Sequence, residues 1–178
     1  MRLIPGGRPF DRVLDSASAR AFHLETRDEY LAADEDNSLT TFLADETSDP
    51  GGAWFAPWTD QVRRMVDRGV RVQRARIVSE PHTGYTRYLL ALARHNVDAG
   101  EDVRYLARAD AARSDADADD FWLLDDHVVV FSVFDTRGFW CGGAATSVPR
   151  IVQYAVEVRD RVWPAAIAYR DYRARPTS

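Results

Sequence analysis

The chain concentrates arginines in one short stretch, where guanidinium groups could bind an anionic or polar ligand. Residues 60 to 76 hold six arginines against two aspartates, a local excess of four positive charges in a chain whose net charge is −5. Side chains alternate along a strand, so Arg74 and Arg76 share one face of the strand predicted for "VRVQRARIVS". The arginines of this stretch are Arg63, Arg64, Arg68, Arg71, Arg74 and Arg76.

More polar side chains follow the carboxyl end of this strand, where open α/β sheets bind their ligands. Glu80, Tyr85 and Arg87 stand there, at the start of the next predicted helix. A tyrosine and a carboxylate beside guanidinium groups suit an anionic or amide-bearing ligand. The predicted ligand- or partner-binding residues are therefore Arg74, Arg76, Glu80, Tyr85 and Arg87. The alternative is a purely structural ion-pair network between these arginines and the acidic N-terminal region.

A second stretch with reactive residue types runs from Asp120 to Gly143 and holds His127 and the single cysteine, Cys141. Turns at residues 125–126 and 135–138 make it a β-meander. Cys141 and His127 then face opposite sides of the sheet, so a Cys–His nucleophile pair would need a bulge. We predict that Cys141 is a small core residue beside two glycines that admit a neighbouring backbone. Trp122 and Asp126, at the first hairpin, complete the set of ligand-binding candidates.

Metal, cofactor and covalent chemistry have little support in the sequence. The four histidines stand in no HExxH or paired Cys/His spacing. The aspartates of the meander could hold a hard cation, but such residues are typical of solvated turns. All 23 basic residues are arginines, so the chain cannot form a lysine Schiff base, a P-loop or a Ser–Lys pair. We assign no catalytic residue, no metal and no cofactor.

Composition indicates a globular cytoplasmic protein. Of the 178 residues, 46% are hydrophobic, which is enough for a sizeable core. No apolar run reaches the ~18 residues of a membrane span, and "MRLIPGGRPFDR" is not typical of a signal peptide, so we expect no membrane partner. The net charge of −5 argues against broad nucleic-acid binding. Direct DNA binding by the stretch from Arg63 to Arg76 is kept as a third alternative.

Hydrophobic periodicity predicts an α/β fold with a mixed sheet. "APWTDQVRRMVDRG" reads as a helix ending at Gly69, and a second helix covers residues 85–96 between the strands "VRVQRARIVS" and "EDVRYLA", which makes a βαβ unit. A solvated acidic loop, the C-terminal β-meander and a closing helix from Ser147 follow. We expect residues 1–52 to be an N-terminal arm with short helices packed on the domain, residues 53–170 to be the α/β domain, and residues 171–178 to be a loosely ordered tail.

Five segments, taken together, resemble an uncharacterised actinobacterial domain family often encoded beside helix-turn-helix regulators. They are "FHLETRDEY" (22–30), "RVQRARIVSEPHTGYTRY" (71–88), "AGEDVRYLAR" (99–108), "DFWLLDDHVVVFSVFD" (120–135) and "VWPAAIAY" (162–169). At the level of fold, the βαβ unit, the hairpin and the last helix are similar to half of a phospholipase D-like domain. Active members of that superfamily use an HxK motif followed by Asp. Here Val129 stands two residues after His127 and the chain has no lysine, so the resemblance implies a catalytically silent domain.

The resemblance implies a role as well as a fold. Catalytically silent phospholipase D-like domains serve as sensor or dimerisation modules in some transcription regulators. We therefore expect a non-enzymatic regulatory or sensor module that binds a small polar or anionic ligand or a partner transcription regulator of the helix-turn-helix type. Half-size domains of this kind often pair, so a homodimer is expected. The alternative is an enzyme of specialised metabolism that acts on a small polar substrate in the same cleft, with Tyr85, Glu80 or His82 in acid–base roles.

Overall fold

A computed structural model of the protein describes residues 1–30 and 36–175. Within these ranges the chain forms eight strands and seven helices. The strands are β1 (Arg2–Pro5), β2 (Arg20–Glu25), β3 (Arg71–Val78), β4 (Asp102–Ala107), β5 (Phe121–Leu124), β6 (Val128–Phe134), β7 (Trp140–Thr146) and β8 (Ile167–Ala168). The helices are α1 (Arg8–Leu14), α2 (Asp36–Ala44), α3 (Ala56–Asp67), α4 (Gly84–Asp98), α5 (Arg113–Ala116), α6 (Pro149–Ala165) and α7 (Tyr169–Arg173).

The strands form one mixed sheet in the order β1-β7-β6-β5-β2-β3-β4-β8. The central strands β2, β3 and β4 are parallel, and the other neighbours are antiparallel. The predicted α/β class is therefore confirmed. The predicted βαβ unit is β3–α4–β4, the meander is β5–β6–β7, and the closing helix is α6.

Local sequence signals explain where the main helices begin and end. Helix α3 stops before Gly69, which adopts a φ of +85°, as predicted for a helix end. The Thr83 hydroxyl caps α4 by accepting a hydrogen bond from the Thr86 N–H. Helix α6 begins at Pro149, but its cap residue is Val148 and makes no side-chain hydrogen bond. The predicted cap at Ser147 is therefore wrong by one residue.

The two faces of the sheet bury different kinds of side chain. On the first face, Phe22, Leu24 and Ile77 join the apolar stripe of α6 in one core. Helices α1 and α3 cover part of the second face, where Phe10, Leu14 and Val62 pack with Val72 and Trp122. Strand β2 alternates between them, with Phe22 and Leu24 on the first face and His23 and Glu25 on the second. Both faces are covered, so the polar side chains of the second face are buried too.

The N-terminal region supplies strands of the sheet, whereas the sequence predicted an arm packed on the domain. Strand β2 lies between β5 and β3, and β1 pairs with β7. The predicted arm differs from the structure because one face of β2 carries the polar side chains of His23 and Glu25, which are typical of a face exposed to solvent. Its burial depends on partners far away in the sequence. Residues 31–35 of the predicted arm lie outside the described residues.

The meander forms as predicted, but its pairing differs at both turns. Leu124 pairs with Val128, not with His127. At the second turn Val133 pairs with Gly142 and Phe134 with Trp140, so Cys141 is the extra residue of a β-bulge. The bulge turns Cys141 outward and leaves it exposed, and the prediction of a core cysteine is wrong.

The bulge arises where the backbone of β7 meets β1. Gly142 has a φ of +140°, and a Cβ atom built on it would lie 2.1 Å from the carbonyl oxygen of Ile4. Only glycine fits this contact. The expectation that the glycines beside Cys141 admit a neighbouring backbone is thus confirmed.

The acidic segment predicted to be a solvated loop and the tail predicted to be loosely ordered are both packed. The acidic loop contains the short helix α5, where the buried Asp115 accepts a hydrogen bond from Arg161 (2.7 Å). In α7, Tyr172 is buried and stacks on Tyr105, with ring centroids 4.7 Å apart. Residues 176–178 of the predicted tail lie outside the described residues.

The described helices include none that could cross a bilayer: each is too short or too polar.

Candidate functional site

A cavity of about 320 Å³ lies on the second face of the sheet, beneath α1, α3 and α4. Side chains of β2, β3 and β5 form its floor. This volume is at the lower end of the ~300–1,000 Å³ typical of small-molecule sites. Trp140 lines the cavity and is 38% exposed, so the wall meets solvent beside this residue.

Strand register builds the floor as two rows of side chains. In the first row, His23 pairs with Trp122 on β5 and with Arg74 on β3. In the second, Glu25 pairs with Arg76, which in turn pairs with Tyr105 on β4. Residues two apart on a strand point to the same face, so both rows face the same helices.

Glu25 is the centre of a buried ion-pair network. Its Oε1 accepts a hydrogen bond from Nη1 of Arg74, and its Oε2 accepts one from Nε of Arg76. Arg74 is 7% exposed and Arg76 is 5% exposed. Burial alone would raise the pKa of Glu25, but the guanidinium groups of Arg74 and Arg76 outweigh it and hold this pKa well below the usual range. Glu25 is therefore ionised, and two positive charges share its carboxylate.

The network continues away from Glu25 on both sides. Nε of Arg74 also donates to Oε1 of Glu101 (2.7 Å), and the side-chain amide of Asn96 donates to the other Glu101 oxygen. Nη1 of Arg76 donates to the Tyr105 hydroxyl (3.1 Å). Glu101 is 2% exposed. Two guanidinium groups thus face two buried carboxylates, and their charges balance.

His23 is an uncharged ring in this charged floor. It stacks on Trp122, and its Nδ1 lies 3.4 Å from Oε1 of Glu25 without making a hydrogen bond. Burial, together with the positive charges of Arg74 and Arg76, lowers the pKa of His23 to about 3. The ring is neutral at physiological pH. A neutral imidazole has one nitrogen that donates and one that accepts a hydrogen bond.

Asp120 contributes a further carboxyl group to the lining, next to the two rows. Its Oδ1 accepts hydrogen bonds from the N–H and the hydroxyl of Thr26 (2.8 and 2.9 Å), and its Oδ2 accepts one from the Tyr30 hydroxyl. Burial raises the pKa of Asp120, against the effect of these hydrogen bonds. The same burial raises the pKa of Tyr30 well above its ordinary value, so Tyr30 is a donor and not a phenolate.

Aromatic side chains form most of the walls. Tyr30 lies near both Tyr85 and Phe134, with ring centroids 5.8 and 5.9 Å apart. On the other side, Trp58 meets Trp122 edge to face at 5.7 Å. The aromatic residues that line the cavity are Phe10, Tyr30, Phe55, Trp58, Tyr85, Trp122, Phe134 and Trp140. Such walls suit a ligand with a flat apolar part.

Four of the seven predicted site residues line this cavity. They are Arg74, Arg76, Tyr85 and Trp122. The two arginines also form the ion-pair network that the sequence left open as an alternative, with Glu25 of the N-terminal region as the shared partner. The ion-pair network and the cavity floor are thus the same structure.

The other three predicted residues lie elsewhere. Arg87 is half-exposed and pairs with Glu46 (2.8 Å). Asp126 lies at the hairpin turn and pairs with Arg159 of α6. Glu80 accepts a hydrogen bond from the Tyr172 hydroxyl (2.6 Å), which also lies 2.9 Å from Nε2 of His82. Glu80 and Arg87 were grouped with Tyr85 because they are close to it in sequence, but neither side chain lines the cavity.

His23, Glu25, Tyr30 and Asp120 are the site residues that sequence reasoning did not select. The first two were hidden because β2 was not predicted as a strand, although "RAFHLE" alternates apolar and polar side chains as a strand does. Asp120 was considered with the other aspartates of the meander but was not selected as a ligand-binding residue. Among the described residues, no group of three or more His, Cys, Asp or Glu side chains could hold a metal ion.

A solved structure resembles this chain at low sequence identity. TrmBL2, an archaeal chromatin protein that shows a novel mode of DNA binding, aligns with a TM-score of 0.48 and 14% identity over 88% of this chain and 48% of that one. The chain therefore spans about half the length of that protein. No curated protein matches the sequence. A family described as a domain of unknown function, DUF6879, matches residues 8–174. Since this match covers nearly all of the chain, the protein belongs to the DUF6879 family.

Proposed function

We propose that this protein is a non-enzymatic sensor module that binds a small ligand in the cavity over β2, β3 and β5. One observation carries the proposal: aromatic walls enclose about 320 Å³ above a floor of buried, mutually paired charges. Buried ion pairs stabilise a fold little or not at all relative to apolar packing. A few fixed polar groups within an apolar cavity are, in contrast, the usual composition of a ligand site.

The proposal is tested by native mass spectrometry of the protein purified gently from cells that produce it. We expect a small adduct at a stoichiometry of one per chain. The variant Ser132→Phe places a bulky ring in the cavity and should lose the adduct. Ser147→Phe, at an exposed position outside it, is the matched control and should retain it. An adduct that survives in Ser132→Phe, or no adduct in any sample, contradicts the proposal.

The output of the module is the second part of the proposal. The resemblance to catalytically silent phospholipase D-like half-domains supports action on a helix-turn-helix regulator, with the module itself as a homodimer. Co-purification with a tagged copy of the protein tests the partner, and light scattering during size-exclusion chromatography tests the dimer. If the protein purifies alone and elutes as a monomer, this part of the proposal fails while ligand binding stands.

The two alternatives have less geometric support. An enzyme that uses Tyr85 with Glu80 or His82 needs these groups around one substrate, but only Tyr85 lines the cavity. DNA binding by the arginine stretch needs guanidinium groups that reach phosphates. Arg74 and Arg76 are buried against carboxylates, so this role would fall to the exposed arginines of the stretch, Arg63, Arg64, Arg68 and Arg71.

A further inference from the structure

The charges around the cavity constrain the ligand that the proposed function leaves open. The sequence favoured a polar or anionic ligand because of Arg74 and Arg76. In the folded protein, Glu25 and Glu101 neutralise both guanidinium groups. An anion would have to displace Glu25 from two charge-assisted hydrogen bonds, which are among the strongest in proteins.

The other ionisable groups of the lining are not positively charged. His23 is a neutral ring, and one nitrogen of a neutral imidazole can accept a hydrogen bond. Asp120 and Asp11 both line the cavity. Among the ion pairs of the described residues, Arg74 and Arg76 pair with Glu25 and Glu101, and neither arginine pairs with Asp120 or Asp11. The charges of the lining therefore favour a bound cation over a bound anion.

The walls add a second, independent reason. Aromatic rings attract cations over their faces, and this attraction strengthens when water is excluded. The rings of Tyr30 and Tyr85 stand together near Asp120, whereas the guanidinium group of Arg27 already lies over the neighbouring Phe134 ring, 4.1 Å from its centroid. A carboxylate beside a cluster of aromatic rings is a favourable environment for an organic ammonium group.

Resting on the proposed function, we infer that the cavity binds an organic cation with a flat ring, an arylalkylamine that stacks on the walls and directs its ammonium group towards Asp120. The ring of the ligand fits the aromatic walls, and its N–H groups meet the acceptors Asp120 and His23. The paired arginines below hold Glu25 in place and take no direct part in charge recognition.

Three probes with one ring system test the inference. Tryptamine carries an ammonium group, tryptophol a hydroxyl and indole-3-acetate a carboxylate on the same indole. Titration calorimetry with the full chain should show that tryptamine binds at least tenfold more tightly than indole-3-acetate, with tryptophol between them. If indole-3-acetate binds as tightly as tryptamine, or tryptamine does not bind, the inference is overturned.

Asp120→Asn and its neighbour Asp119→Asn are the matched variants, because Asp119 is exposed and outside the lining. Asp120→Asn should weaken the binding of tryptamine at least tenfold and leave the affinity for tryptophol unchanged. Asp119→Asn should change neither affinity. An unchanged tryptamine affinity in a folded Asp120→Asn contradicts the role of Asp120. If Asp120→Asn does not fold, the three probes on the unmodified chain still decide the inference. The adduct in the mass spectrum separately decides whether the cavity binds any ligand.

Discussion

His23 and Trp122 stack face to face across β2 and β5, with ring centroids 4.2 Å apart and ring planes 12° from parallel. The same histidine lies 3.4 Å from Glu25 on its own strand. The stack thus joins the aromatic wall of the cavity to its charged floor. Burial and two nearby guanidinium groups lower the pKa of His23 to about 3, so the imidazole contributes to the fold as a neutral ring.

This depressed pKa predicts a loss of stability in mild acid. The unfolded chain binds a proton on His23 below its ordinary pKa of 6.5, and the folded chain does so only near pH 3. Between these values the unfolded state holds more protons, so the free energy of unfolding falls as the pH falls. We expect His23 alone to lower the free energy of unfolding by about 2 kcal/mol between pH 7 and pH 5. Urea unfolding at both pH values measures this change.

His23→Phe isolates this contribution. Phenylalanine keeps a flat ring against Trp122 and cannot be protonated. Between pH 7 and pH 5, the free energy of unfolding should therefore fall by about 2 kcal/mol less in the variant than in the parent. His127→Phe, at the exposed hairpin turn, is the control and should retain the parental dependence. Equal pH dependence in the parent and His23→Phe would show that His23 is not the titrating group.

Removing the charge of Glu25 should destabilise the fold strongly. Glu25→Gln keeps the shape of the side chain but leaves Arg74 and Arg76 buried with only Glu101 to balance them. Breaking a buried pair in this way costs about 3–5 kcal/mol, measured by urea unfolding at pH 7.

The matched control is Glu46→Gln, which breaks a half-exposed pair with Arg87. Exposed pairs contribute about 0–1 kcal/mol, so this variant should be nearly as stable as the parent. A similar small effect for both variants would mean that water reaches the Glu25 network and screens it.

Asp125 is expected to hold the first hairpin to the start of β2. It adopts a φ of +50° and accepts hydrogen bonds from the backbone N–H groups of Ser18, Ala19 and Arg20 (2.7–2.8 Å). Asp125→Ala removes these acceptors and places alanine in a left-handed conformation, so we expect a loss of about 2–3 kcal/mol.

Asp125→Asn separates geometry from charge. Asparagine tolerates the left-handed conformation and keeps one acceptor oxygen, so it should recover more than half of the stability that alanine loses. The measurement is thermal unfolding of the two variants beside the parent. If asparagine is as damaging as alanine, the negative charge and not the hydrogen-bond geometry is what the turn requires.

Cys141 is expected to react readily in the folded protein. The bulge in β7 exposes it, and its thiol donates a weak hydrogen bond to the carbonyl oxygen of Val133 (3.3 Å). Ellman's reagent should titrate one thiol per chain without denaturant, and Cys141→Ser should change the free energy of unfolding by less than about 0.5 kcal/mol. Reaction only after denaturation would place Cys141 in the core.

The sequence predicts those parts of the fold that are encoded locally. Helix α4 and the strands beside it show their own periodicities, and their parallel pairing follows from the preference of βαβ units. The hairpin at Asp125 was also predicted, because two aspartates between β-rich runs favour a turn. Each of these elements is specified within about 30 residues of sequence.

The parts that were missed depend on distant contacts. Strand β2 presents His23 and Glu25 as an exposed strand would, and only pairing with β3 and β5 buries them. The bulge at Cys141 depends on the approach of β1 to Gly142. The sequence therefore predicted the half of the candidate site that lies on β3 and β5. The other half forms only when the N-terminal strand β2 pairs within the sheet.

The position of β2 also constrains how the chain can fold during its synthesis. The partner of Leu24 on β5 is Phe121, about 100 residues later. At ~5–20 residues per second, a ribosome needs about 5–20 s to cover that distance. A nascent chain can pair β2 with β3 during this time, but the other edge of β2 stays open until β5 is made. The cavity over β2, β3 and β5 is therefore completed late in translation, or after it.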